Sequence, residues 1–223
     1  MAFPPRPCSK LEGMNLFGRR GDPYLLVVGM TGVKMGDRFI QVGCEHGGRL
    51  AAVASRVGLS GRAVAIVPDE AAASRATKGA RQAGVLVDVQ IGPPTRFVAD
   101  DQAFDVAVVD DTGGLVGGLG PADRANALAG LRRVLRPGGR VVLIGALPPR
   151  GGLSALLGRK PGPASAGSTA AREALAAAGF TPVRTLAERE GLVFIEAIKP
   201  RTLTGEQTEG AGGSGEAGAA GQS

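Results

Sequence analysis

The sequence has no tryptophan, one tyrosine and one histidine. A lone histidine argues against a histidine-based metal centre and leaves His46 as the one imidazole for proton transfer near neutrality. Cysteine is as scarce: Cys8 and Cys44 stand far apart, which rules out a disulfide scaffold and a cysteine-cluster metal site and fits a reducing compartment. No basic-then-apolar leader opens the chain, and its longest apolar run, residues 24–33, is too short to span a bilayer. The expectation is a soluble cytoplasmic protein without membrane insertion or metal. Lysine is scarce too, five against 21 arginines. The arginines are dispersed, which reads as solvated faces more readily than as a nucleic-acid patch.

What is abundant sets the domain plan. The 223 residues hold 37 glycines and 15 prolines, many of them near the two ends. Residues 1–21 are proline-rich at the start and show no periodicity, so they read as a flexible lead-in, with Met14 a candidate alternative start. Residues 201–223 are Gly, Ala, Glu, Ser and Thr with one leucine, too little apolar surface to offset ordering entropy, and read as a disordered tail. Residues 22–200 are expected to form one domain. The net charge is +6, and the tail holds one arginine against three glutamates, leaving 25 basic and 17 acidic residues before it. That balance permits an anionic substrate without requiring one.

Within the domain, strand-like apolar runs alternate with alanine-rich stretches of helical length. This predicts an α/β fold, a doubly wound and mostly parallel sheet with helices on both faces. Residues 23–33 read as a lead-in helix with Asp22 as N-cap and Pro23 at its first position. RFIQVG is strand one, followed by a helix closed by Gly58. RAVAIVP is strand two, and Asp69 caps the next helix, which Gly84 ends. VLVDVQI and FDVAVVD are strands three and four. A helix opens at Pro121 and stops at Pro137-Gly138-Gly139. RVVLIGAL is strand five, residues 147–167 form a Gly/Pro-rich connection, and a helix from Ser168 or Thr169 ends at Gly179. Two strands then close the chain as an antiparallel pair.

Three stretches, KMGDRFIQVGCEHGG, LAGLRRVLRPGGRVVLIGA and AAAGFTPVRTLAEREGLVFIEAIKP, come in this order and together resemble the class I S-adenosylmethionine (SAM)-dependent methyltransferases. The resemblance spans residues 22–200 and implies a seven-stranded Rossmann-like sheet whose last strand is antiparallel. It implies SAM as cofactor, held at the turn after strand one and at the ends of strands two, three and four. Residue by residue, the implied contacts are Gln41, Gly43, Cys44, Glu45, His46 and Gly47 in the turn, then Val67, Pro68 and Asp69, then Pro93, then Asp110.

Four of these positions depart from the family pattern. Gln41 replaces an acid, and Glu45 replaces the middle glycine, where a positive φ would cost Glu about 1 kcal/mol. Val67 stands where an acid accepts from the ribose hydroxyls, and Pro93 where an aspartate meets the adenine amine. His46 is a candidate base or substrate contact, against a plain polar turn residue. Cys44 reads as packing rather than nucleophile. Asp110 and Asp111 close strand four at the carboxyl edge, where adjacent carboxylates would orient or deprotonate an acceptor, against simple loop solvation. Arg150, Arg159 and Lys160 fall in the connection that would cover the acceptor.

Two functions follow. One is methyl transfer from SAM to an unidentified small or macromolecular acceptor, which needs alignment more than a catalytic side chain. An acid followed by His in the turn also resembles some tRNA methyltransferases, which keeps RNA open as an acceptor. The other is a methyltransferase-like pseudoenzyme, a binding or scaffolding module with weak or no SAM binding. A nicotinamide-dependent enzyme fits less well, since the first turn lacks a third glycine and strand two lacks a following acid.

Overall fold

The computed structural model describes residues 22–147 and 168–201. Its elements alternate as the pattern requires: α1 (Leu25–Thr31), β1 (Arg38–Val42), α2 (Gly47–Val57), β2 (Arg62–Val67), α3 (Glu70–Ala83), β3 (Asp88–Ile91), β4 (Phe104–Asp111), α4 (Pro121–Val134), β5 (Leu135–Ala146), α5 (Ser168–Ala177), β6 (Val183–Arg189) and β7 (Leu192–Ile198). The seven strands form one sheet in the order β3-β2-β1-β4-β5-β7-β6. β1 to β5 are parallel, and β7 runs antiparallel to both β5 and β6.

Strand alternation divides the core in two. Phe39, Ala65, Val67, Val106, Val108 and Phe194 face α1, α2 and α3. Ile40, Val42, Ile66, Ala107, Val109 and Ile195 face the side that carries α4 and α5. A two-residue turn, Glu190-Gly191, joins β6 to β7 with both residues at positive φ (54° and 73°), the twist that matches a hairpin.

Three boundaries differ from expectation. α1 starts at Leu25 rather than Pro23, because the Asp22 carboxylate accepts from the Tyr24 N–H at 2.9 Å and holds a turn there. β3 shrinks to four residues. α4 ends at Val134, before Pro137, and β5 begins at once: the residue before a proline is disfavoured in helix, and buried Leu135 pairs with Phe104 across β4. The Pro-Gly-Gly turn is thus an irregularity within β5.

Residues 92–103 join β3 to β4 without a helix. Among the described residues the sheet therefore carries three helices on one face and two on the other.

Candidate functional site

Strand order reverses between β1 and β4, so the crevice outside their carboxyl ends is where an open α/β sheet receives a ligand. The turn leaving β1 borders it. Gly43 has φ 83° and donates its N–H to the Ile66 carbonyl at 2.8 Å. A Cβ on Gly43 would lie 2.7 Å from the Asp110 carbonyl oxygen and 3.0 Å from Leu115, so only glycine lets the turn pass this close to β4. Gln41 is buried beneath it and donates from Nε2 to the Gly43 carbonyl at 2.9 Å. The amide substituted for an acid is therefore a brace for the turn.

Cys44 comes next, 1% exposed among apolar neighbours, with its carbonyl accepting from Arg75 Nε at 2.9 Å. Burial, with the Asp110 charge second, pushes its thiol up to about 11. A thiol that stays protonated and covered is not a nucleophile at neutral pH. In a Cys8→Ser background, native protein at pH 8 is expected to leave Cys44 unmodified by an aromatic disulfide reagent until denaturant is added. Rapid labelling of the native state would overturn the packing role.

Asp110 and Asp111 are held by different partners. Consecutive residues of a strand point to opposite faces, and each carboxylate is occupied on its own side. Asp110, 2% exposed, accepts from the Glu45 N–H at 3.1 Å and the Thr112 hydroxyl at 2.7 Å, with Arg49 Nη2 at 3.6 Å. Arg49 also donates to Thr112 at 2.9 Å. Asp111, 6% exposed, accepts from the N–H groups of Val116 at 2.7 Å and Gly117 at 3.0 Å. Burial raises its carboxyl above the ordinary range, opposed by those two bonds. Each carboxylate anchors a segment, Asp110 the β1 turn and Asp111 the loop after β4.

Glu45 is exposed and its φ is not positive, so the strain considered for a side chain at this position does not arise. Its side chain reaches toward the loop after β4: a Cβ on Gly113 would sit 2.7 Å from Glu45 Cδ. The carboxylate lies 3.9 Å from Arg75 Nη2, a half-exposed pair that contributes little. Thus Glu45 crosses the crevice that a glycine would leave open.

His46 is exposed and serves as the N-cap of α2 through its backbone, with no capping bond from its imidazole. Its Nδ1 is 3.4 Å from the Tyr24 hydroxyl, and the two rings lie 5.5 Å apart. Tyr24 also fills the space over Gly48, where a Cβ would come within 2.2 Å of its oxygen. Gly47 serves packing: a Cβ there would lie 2.1 Å from the Arg75 carbonyl oxygen, and one on Gly79 would lie 2.3 Å from the Gly47 carbonyl oxygen. The two glycines let α2 and α3 touch backbone to backbone.

Along the same edge, Val67 is fully buried and faces the α2–α3 side, its carbonyl accepting from the Gly92 N–H at 2.9 Å. Pro68 and Asp69 are exposed, and Asp69 caps α3 by accepting from Ala72 N at 2.7 Å. Pro93 is exposed on the following turn. Arg150, Arg159 and Lys160 lie outside the described residues. Sequence reading missed Arg49, Arg75 and Tyr24. The tyrosine carried a signal, being the only one in the chain and next to the lead-in helix. The two arginines carried none, being two among 21.

Residues 39–139, from β1 through the turn inside β5, match the family described as "Methyltransferase domain". That stretch, somewhat less than half of the chain, is similar to a methyltransferase domain. A SAM-dependent methyltransferase from Aquifex aeolicus is similar to it with TM-score 0.62 and 20% identity, over 78% of this chain and 88% of that one. The cyclase SpnF is similar with TM-score 0.60 and 20% identity, over 79% of each chain. At such identity the likeness concerns the fold. An uncharacterized 37.1 kDa protein in transposon TN4556 of Streptomyces fradiae is 33% identical over 108 residues, 48% of this chain and 30% of that protein. The match thus spans less than a third of that relative. The switch-point crevice is bordered by the Gly43 turn on one side and the Asp110 terminus on the other, and no helix among the described residues is long and apolar enough to cross a membrane.

Proposed function

We propose that the chain is a SAM-dependent methyltransferase that binds its cofactor at the switch-point crevice between β1 and β4. One observation carries this reading: the stretch matching the methyltransferase domain family, residues 39–139, ends β1 and β4 at that crevice, with the positive-φ glycine of the β1 turn at its edge.

The residues present fit the cofactor through a modified set of contacts. The backbone of residues 43–46 lines the crevice, and Glu45 and Asp69 offer exposed carboxylates where Val67 offers no acceptor. Because Glu45 holds an ordinary φ and an exposed side chain, its carboxylate can leave Gly113 by rotamer change alone. When bound, SAM supplies a methyl group on a sulfonium. The chain contributes by fixing the turn through Gln41 and Asp110, by covering the α2 N-terminus with Tyr24, and by aligning the acceptor. Asp110 and Asp111 are held by protein partners and act as positioning residues. The acceptor, small molecule or RNA, is left to product analysis, and the free Cys44 thiol suits a reducing cytoplasm.

A second reading, a module without catalysis, is favoured by one feature: Val67 and Pro93 supply no side-chain hydrogen bond where a nucleoside needs them. Titration calorimetry with SAM and S-adenosylhomocysteine separates the two. The enzyme reading expects saturable heat with both, and absence of heat near millimolar concentration would overturn it. Glu45→Gly is expected to tighten S-adenosylhomocysteine binding roughly tenfold, equivalent to about 1.4 kcal/mol. Weakening instead would make the carboxylate a contact.

A further inference from the structure

We propose that Glu45 sets the charge preference of the crevice: its carboxylate draws the sulfonium of SAM and gives no ionic partner to the neutral thioether of S-adenosylhomocysteine. The inference rests on the SAM reading above and assigns that site a specificity-determining residue.

The two ligands differ at sulfur by one methyl group and one positive charge. A chain of net charge +6 repels a cation at long range, so any preference for the sulfonium has to be supplied locally. Glu45 is placed to supply it. Its N–H donates to Asp110 Oδ2 at 3.1 Å and ties the residue to the end of β4. From the turn its side chain spans to the loop after β4, where a Cβ on Gly113 would lie 2.7 Å from both Cδ and Oε1. A ligand seated between that turn and that loop therefore lies alongside the Glu45 side chain.

The charge is also left for a ligand to use. Arg75 Nη2 stands 3.9 Å from Oε1, beyond hydrogen-bond reach, and the two side chains are 41% and 45% exposed. Water screens such a pair, so Arg75 neutralises Glu45 only in part. The other acids of this edge are spent. Asp110 accepts from Thr112 and the Glu45 N–H, Asp111 from the N–H groups of Val116 and Gly117, and Asp69 from that of Ala72. Among the described residues nothing donates a hydrogen bond to the Glu45 carboxylate. Two unit charges within a Debye length in a half-hydrated crevice change an affinity roughly three- to tenfold. Bulk would act on both ligands alike, whereas charge acts on one.

Titration calorimetry of the full native chain reads the preference directly, with SAM, S-adenosylhomocysteine and sinefungin, in which a CH bearing an ammonium replaces the methylsulfonium. SAM and sinefungin are expected to bind roughly three- to tenfold more tightly than S-adenosylhomocysteine at about 50 mM salt, the ratio falling toward one at about 500 mM. Glu45→Gln keeps the bulk and removes the charge. It is expected to abolish the ratio by weakening SAM and sinefungin, while S-adenosylhomocysteine stays within about twofold. Glu173→Gln, at an exposed acid of α5 on the other face of the sheet, removes the same charge elsewhere and leaves the ratio unchanged. The salt series uses the wild-type chain and stands whatever the variants do. A ratio indifferent to salt or to Glu45, or equal weakening of all three ligands by Glu45→Gln, would overturn the inference while leaving the SAM reading in place. Equal loss in Glu173→Gln, or sinefungin binding like S-adenosylhomocysteine, would do the same. No heat with any of the three would overturn the SAM reading and this inference together.

Discussion

Replacing Asp110 with alanine is expected to destabilise the fold by about 3 kcal/mol, because a buried carboxylate with three partners is lost at once. The Glu45 N–H loses its acceptor, Thr112 loses its bond, and Arg49, whose side chain is only 15% exposed, keeps a positive charge without its counter-ion. For a domain of this size that loss lowers the melting temperature by roughly 6–12 °C. Asp110→Asn retains an acceptor oxygen and should cost about half as much. The two variants separate anchoring from catalysis: urea denaturation should rank them Asp, Asn, Ala in falling stability even in the absence of any ligand. An alanine variant within 1 kcal/mol of wild type would show that the turn is held by something else.

The second large effect concerns the glycines of the helix pair. Gly47→Ala places a methyl 2.1 Å from the Arg75 carbonyl oxygen, a backbone atom that cannot rotate away, so α2 and α3 must separate. The expected cost is about 3 kcal/mol, the upper part of the range for overpacking. Gly79→Ala meets the Gly47 carbonyl oxygen at 2.3 Å, in the same seam between the two helices. The two changes should therefore be strongly non-additive, the double variant costing well below the sum. Gly29 supplies the control. It is helical, a Cβ there has nothing within 4 Å, and alanine should stabilise by about 0.5–1 kcal/mol through helix propensity alone. Thermal melts of the three single variants therefore differ in sign as well as size. Equal effects at Gly47 and Gly29 would remove the packing explanation.

These contacts also explain which parts of the molecule were legible beforehand. Alternation of apolar strands with alanine-rich helices is a local pattern, so order, number and direction of the strands could be read from β1 to β7. Caps such as Asp69 and stops such as Gly58 and Gly84 are likewise local. The site was legible in place but not in cause. Gly43 and Gly47 read as ligand-facing glycines, yet the backbone atoms that crowd them belong to Asp110 and Arg75, far away in sequence. Asp110 and Asp111 read as a dyad although strand alternation, available in the sequence, sends them apart. Arg49 and Arg75 could not be singled out, because their partners are a strand end and a turn carbonyl that only the fold brings near.

The place of β7 bears on how the chain is made. It is the last strand in sequence among the described residues, yet it lies inside the sheet between β5 and β6, with Phe194, Ile195 and Ala197 fully buried. A growing chain that has completed the family-matching stretch to residue 139 still lacks the strand that covers the outer side of β5. Until residues 192–198 emerge, β5 presents a row of unpaired backbone groups, the kind of open edge at which nascent chains join one another. A chain ending before Leu192 therefore keeps six of the seven strands with the edge of β5 open, and the final strand is what closes the sheet against self-association.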